Sequence, residues 1–159
     1  MRINFTLNGE RVSCDVNPGR KLSDLLHDTF GIRSVKISCK TGMCGSCTVL
    51  MEDEAVPSCL IPAFAVQQKS VLTFEGLKEL ADYTDIMKSF EHNRYFPCEY
   101  CLPSKALTIY ALLLHNPHPG EDEIIDAMRG NICSCDVSGP LINSVFMAAR
   151  LKRESSYGR

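Results

Sequence analysis

The chain has no run of about 18 apolar residues, the length a helix needs to cross a bilayer, so no membrane span is expected. Its opening, Met1-Arg2-Ile3-Asn4-Phe5-Thr6, alternates like a strand and lacks the apolar core of an export signal, which points to a cytoplasmic protein. An excess of one charge is also missing. Lys and Arg number 17 against 19 Asp and Glu, and a net charge of −2 gives no pull toward nucleic acid or anionic lipid. There is no GxGxxG fingerprint, no phosphate loop and no nucleophile–base constellation, so substrate chemistry is expected to come from a partner. His27, His92, His115 and His118 are scattered without paired carboxylates and read as surface or packing residues. Internal repeats and low-complexity segments are absent.

What the chain does have is cysteine, nine in 159 residues. Eight form two quartets: Cys39, Cys44, Cys47 and Cys59, then Cys98, Cys101, Cys133 and Cys135. Cys14 is left over, alternating with Val12 and Val16, and reads as a buried core thiol. The odd count, the absence of an export signal and the close CxxC and CxC pairs argue for metal ligands over disulfides. The first quartet reads CxxxxCxxC with a fourth cysteine eleven residues on, the plant-type [2Fe–2S] arrangement. Thiolates are soft, charge-donating ligands, and the resulting anionic cluster needs N–H donors around it. Gly42 and Gly45 suit that need, because a glycine-containing loop can curl until successive amides face the sulfurs. The second quartet has CxxC, a gap of 31 residues, then CxC, which on spacing alone fits either a second iron–sulfur cluster or a Cys₄ zinc site.

The cysteine map predicts two small domains, residues 1–77 and 78–159, each small enough to gain folding free energy from its cluster. Ile3, Phe5 and Leu7 alternate, Asn8-Gly9 signals a turn, and Val12, Cys14 and Val16 alternate again, predicting a hairpin over 2–16. Leu22, Leu25 and Leu26 have helical spacing before Gly31. Residues 38–47 read as a loop wrapped around a cluster. Strands at 48–51, 55–56 and 70–74 follow, joined at the first return by Glu52-Asp53-Glu54, a solvated turn. From Lys78 the period changes to 3.6, with Leu80, Tyr83, Met87 and Phe90 as the first helical stripe. A second helix carries Ala106, Ile109, Tyr110, Leu113 and Leu114, a third Ile124, Ile125 and Met128, and a fourth runs from about Pro140. The basic tail, 152–159, reads as solvated. The fold class is thus α+β followed by an all-α four-helix unit.

Both quartets in this order, with Cys44-Gly45-Ser46-Cys47-Thr48-Val49-Leu50, Ser58-Cys59-Leu60, Phe74-Glu75-Gly76-Leu77 and Gly130-Asn131-Ile132-Cys133-Ser134-Cys135, make the chain resemble a known family. It is similar to the small iron–sulfur subunit of the molybdenum hydroxylases, the xanthine dehydrogenase and carbon monoxide dehydrogenase family. The resemblance implies a plant-ferredoxin-like β-grasp domain and a four-helix bundle, each with one [2Fe–2S] cluster. It further implies a relay from molybdopterin on a large subunit, through the Cys98 set and then the Cys39 set, to FAD on a medium subunit. The assembly would be a heterotrimer or a dimer of heterotrimers. Where this family has a pterin-contacting glutamine, the chain has Pro97, and where it has glycine, the chain has Glu99. Those departures leave a second reading, a two-cluster relay for a partner whose pterin site is altered or absent; a zinc-stabilised interaction module is a third. Glu99 and Asp136 beside an anionic cluster are expected to lower its potential unless both face water.

Overall fold

The computed structural model describes residues 1–134 and 138–157. Strands β1 (Arg2–Leu7) and β2 (Glu10–Asp15) form the expected hairpin, with Arg2 opposite Asp15 and Leu7 opposite Glu10. Asn8 and Gly9 close it with φ of 51° and 85°, the paired positive values of a type I′ turn. Ile3, Phe5 and Leu7 face inward and are buried. Cys14, expected in the core, is only half-buried because β2 is an edge strand of the sheet. Partial burial raises its thiol pKa, opposed by the Arg20 charge.

The helix predicted after Pro18-Gly19 is α1 (Leu22–Asp24), which widens at once into a π turn over Leu25–Thr29. Leu22, Leu25 and Leu26 are fully buried beneath the sheet. After the cysteine loop come β3 (Thr48–Met51), β4 (Glu54–Pro57), a 3₁₀ turn at Ala63–Val66 and β5 (Ser70–Leu72). The five strands are ordered β2-β1-β5-β3-β4, with β1 and β5 parallel and the other pairs antiparallel.

β5 stops before the predicted Phe74. Thr73 gives its N–H to Asn8 Oδ1 at 2.8 Å, and Phe74 opens the short helix α2 (Phe74–Leu77). Glu75 then ties this corner to the loop after α1, accepting from Ser34 N–H at 3.1 Å, Ser34 Oγ at 2.6 Å and Thr73 Oγ1 at 2.8 Å. Gly76 sits so close to the Asn8 side chain that a Cβ there would collide with it. The Phe-Glu-Gly-Leu stretch therefore acts as a structural corner.

Among the described residues four helices follow: α3 (Ala81–His92), α4 (Leu102–His115), α5 (Glu121–Met128) and α6 (Ser138–Tyr157). The face of α3 is rotated from the predicted stripe. Ile86, Ser89 and Phe90 are buried, while Leu80, Tyr83 and Met87 flank them half-buried. Small residues set this rotation: Ser144 Oγ on α6 reaches Ser89 C=O at 3.3 Å, a close approach that larger side chains would prevent. On α5, Ile124 is buried but Ile125 faces outward, and Gly120 N–H is capped by Glu123 Oε2 at 2.7 Å. α6 runs on to Tyr157, so the tail expected to be solvated is helical at its start. Lys152 pairs with Asp82 and lies 5.0 Å from the Tyr110 ring centre, and Arg153 Nη1 donates to Pro117 C=O at 2.6 Å.

The sheet half packs on α1 and its π turn, while the helical half has its own core around Phe90, Leu107, Ile109 and Val145. Leu50 on β3, with Phe74 and Leu77, is buried inside that helical core. The sheet half thus contributes residues to both cores, and this shared seam holds the two cysteine-bearing loops in register.

Candidate metal centres

Residues 36–47 lie between the π turn and β3 with little regular structure, and three of them take positive φ: Lys40 at 57°, Gly42 at 77° and Gly45 at 73°. These reversals curl the loop so that amides face sulfur. Thr41 N–H donates to Cys39 Sγ at 3.4 Å. The Thr41 hydroxyl, then its N–H, then the Cys44 N–H and thiol together pull the Cys39 pKa down to about 5. Cys59 behaves oppositely. Burial, the neighbouring Cys47 thiol and its charge push it up to about 11, against a donating Gly42 N–H. Within the first quartet, Cys39 is thus electrostatically linked to Cys44 and Cys59 to Cys47. Three cysteines on the glycine-turned loop and Cys59 from beyond β4 make a four-thiolate set that fits a diiron rhomb, which takes two thiolates on each iron.

In the second set, Cys98, Cys101 and Cys133 bring their sulfur atoms within 4.8 Å of one another. Cys135, the expected fourth ligand, lies outside the described residues, as does Asp136. Cys101 N–H and Leu102 N–H both donate to Cys98 C=O, at 3.0 and 2.9 Å, winding the CxxC segment straight into α4. Cys101 occupies the N-cap position of that helix without a side-chain capping hydrogen bond. In the metal-free thiol form, burial and the Cys133 and Cys98 thiols push Cys101 up to about 12, so a metal binding there must displace its proton.

The loops abut. Ile132 N–H donates to Cys44 C=O at 3.1 Å, and a Cβ on Gly45 would collide with the carbonyl of Gly130. A cavity of about 120 Å³ lies at this junction, with Cys44 and Ser46 on one side and Tyr100, Cys101 and Cys133 on the other. Lys36 lies 5.9 Å from the Tyr100 ring centre, a further link across the seam. A carbonyl–amide bridge joining Cys44 to the residue before Cys133 gives the two sets a continuous backbone connection broken by one hydrogen bond.

Gly42 and Gly45 both have positive φ, and a Cβ on Gly42 would press against Leu60. Glu99 is exposed, so water screens its charge. Two features escaped the sequence reading. One is Lys105, fully buried on α4; its signal was a lone lysine four residues after Cys101 in an otherwise apolar stretch. The other is the crowd of exposed apolar side chains at the cysteine loops: Phe96 at 72%, Met43 at 68% and Ile132 at 64%, with Leu60 and Tyr100 beside them. The histidines stay clear of both sets, and His115 Nε2 instead meets Asp53 C=O at 3.3 Å.

Two [2Fe–2S]-binding domains in tandem define the class of protein. Residues 5–75 match the 2Fe-2S iron-sulfur cluster binding domain, and residues 73–145 match the [2Fe-2S] binding domain. The nicotinate dehydrogenase small FeS subunit of Eubacterium barkeri is 39% identical over 84% of this chain and 85% of that protein. A "Probable xanthine dehydrogenase" component of Bacillus subtilis (strain 168) is 33% identical over 98% of this chain and 87% of its own length. In the crystal structure of quinoline 2-oxidoreductase from Pseudomonas putida 86, one chain superimposes with a TM-score of 0.87 at 32% identity, covering 97% of this chain and 96% of that one. The chain belongs to the small iron–sulfur subunits of the molybdenum hydroxylase family, the family of the xanthine dehydrogenases. None of the described helices is long and apolar enough to cross a membrane.

Proposed function

We propose that this chain is the electron relay of a molybdenum hydroxylase, taking electrons from a molybdopterin-bearing large subunit and delivering them to an FAD-bearing medium subunit. In this reading Cys98, Cys101, Cys133 and Cys135 hold the cluster nearer molybdenum, and Cys39, Cys44, Cys47 and Cys59 the one nearer flavin. Each [2Fe–2S] group supplies one-electron storage when bound. The residues of the chain do the rest: the positive-φ turns at Gly42 and Gly45 aim amides at sulfur, and the start of α4 holds Cys101 beside Cys98 and Cys133. The observation that carries the relay reading is the Ile132 N–H to Cys44 C=O hydrogen bond, which couples the loops and fixes their spacing.

Partner docking follows from the exposed apolar residues. Phe96, Tyr100 and Ile132 crowd the second cysteine set, where a hollow of about 560 Å³ opens beside Tyr95, Phe96 and Pro97; Met43 and Leu60 crowd the first. Apolar surface concentrated at both mouths suits burial by two subunits, one at each end of the relay. The complex is a heterotrimer or a dimer of heterotrimers, working in the cytoplasm. Pro97 has no N–H and no amide side chain to offer a pterin, which favours a partner whose pterin site differs from the usual one.

Low-temperature EPR on the reduced, co-purified complex tests this reading. Two distinct [2Fe–2S] signals are expected, one lost in Cys44→Ala and the other in Cys101→Ala. A single signal, or stoichiometric zinc without acid-labile sulfide, refutes the relay. Molybdenum and pterin analysis of the same material separates the usual partner from an altered one.

A further inference from the structure

We propose that the Ser46 hydroxyl donates a hydrogen bond to the Cys44 sulfur of the first cluster and holds that cluster's reduction potential up. The proposal rests on the assignment of Cys39, Cys44, Cys47 and Cys59 as that cluster's ligands. Ser46 Oγ lies 3.1 Å from Cys44 Sγ. One residue, Lys36, fixes the serine twice: its N–H donates to Ser46 C=O at 3.2 Å, and Ser46 Oγ reaches its C=O at 3.3 Å. The positive φ of Gly45, 73°, folds the chain between the cysteine and the serine, so that side chains two residues apart meet.

In the thiol form either group can donate, because a thiol and a hydroxyl each carry one hydrogen. Ligation removes that freedom. When Cys44 binds iron its S–H bond breaks, the proton leaves for solvent and an S–Fe bond takes its place. The sulfur is then an acceptor only. The 3.1 Å contact holds in that state with the Ser46 hydroxyl donating, its hydrogen turned from the Lys36 carbonyl to the sulfur. Ser46 is buried, 6% exposed, and lines the cavity between the two cysteine sets, where bulk water does not compete for the hydroxyl. Reduction by one electron, arriving from the second centre, adds a negative charge that the ligand sulfurs share. A hydrogen bond to one of those sulfurs favours the reduced form over the oxidised one and so raises the potential. Raising the first centre makes the step from the Cys98 set to the Cys39 set more downhill, in the direction of flow proposed above.

The test is an EPR-monitored redox titration of the intact complex carrying Ser46→Ala or Ser46→Thr, with iron and sulfide counted in each. Alanine removes the hydroxyl; threonine keeps it. In Ser46→Ala, the signal that Cys44→Ala abolishes is expected to shift its reduced-to-oxidised ratio about tenfold toward oxidised at a given potential, about 59 mV for a one-electron couple. The signal that Cys101→Ala abolishes stays in place, and Ser46→Thr stays near the wild type. If Ser46→Ala loses the first cluster while Ser46→Thr keeps it, the hydroxyl is required for the cluster to be held, which also supports the proposal. An unshifted or raised first midpoint in Ser46→Ala with full iron assigns the serine to the Lys36 carbonyl alone and overturns the proposal. Equal shifts of both signals, equal shifts in both variants or equal iron loss in both variants overturn it as well. A wild-type complex without the first signal overturns the ligand assignment itself, and the proposal with it.

Discussion

Gly45 is where the two loops meet, and Gly45→Ala should damage the protein more than an ordinary glycine replacement. Its φ of 73° lies in the left-handed region, where a side chain costs roughly 1–2 kcal/mol. The new Cβ would also collide with the Gly130 carbonyl, and since both partners are backbone, no side chain can swing away. The loops must part, which breaks the Ile132 to Cys44 hydrogen bond at a further cost of about 1 kcal/mol. The total loss is about 2–3 kcal/mol before any effect on the clusters. Gly31→Ala provides the control. Gly31 also has a positive φ, 67°, but nothing lies within 4 Å of a Cβ built there, so that variant should lose only the conformational part. Urea unfolding of iron-loaded protein, with iron counted before and after, reads both terms, and the difference between variants isolates the clash. If Gly45→Ala is no less stable than Gly31→Ala and keeps its iron, the loops do not abut and the argument for a fixed relay spacing fails.

Glu75 should make stability depend on acid. Burial tends to raise its pKa, but hydrogen bonds from Ser34 and Thr73 outweigh that and hold it below the usual carboxylate value. A depressed folded-state pKa means the contribution is present above the ordinary carboxylate pKa and is lost as pH falls through the depressed value. Glu75→Gln should therefore cost about 1 kcal/mol at neutral pH, discounted for partial exposure, and flatten the acid limb of a stability–pH curve; an unchanged limb would contradict it. Anaerobic removal of iron should lower the thermal midpoint and expose apolar surface to a dye, because each half is small and its cysteine loop packs around a cluster instead of side chains. Iron-free and iron-loaded chains melting together would refute that.

The cysteines made the candidate ligand sets legible, since such a set announces itself by residue type and spacing whatever the tertiary packing. Period-2 alternation and the Asn8-Gly9 pair likewise placed β1 and β2. What stayed hidden depended on contacts distant in sequence. The rotation of α3 is set by Ser89 against Ser144, 55 residues away. β5 ends early because the Asn8 side chain captures Thr73 N–H across 65 residues. The tail begins as helix because Lys152 finds Asp82 and Tyr110. Lys105 was overlooked because composition treats lysine as a surface residue, and only helical register relative to Cys101 reveals otherwise.

The position of Leu50 has a consequence for engineering. It lies on a strand of the sheet but is buried with Phe74 and Leu77 against α4. Severing the chain after residue 77 would leave each fragment with a raw greasy wall, and grafting either piece onto a foreign mate would fail unless that wall were recut. The two modules, whatever their separate ancestries, have become a fitted pair that must be transplanted whole.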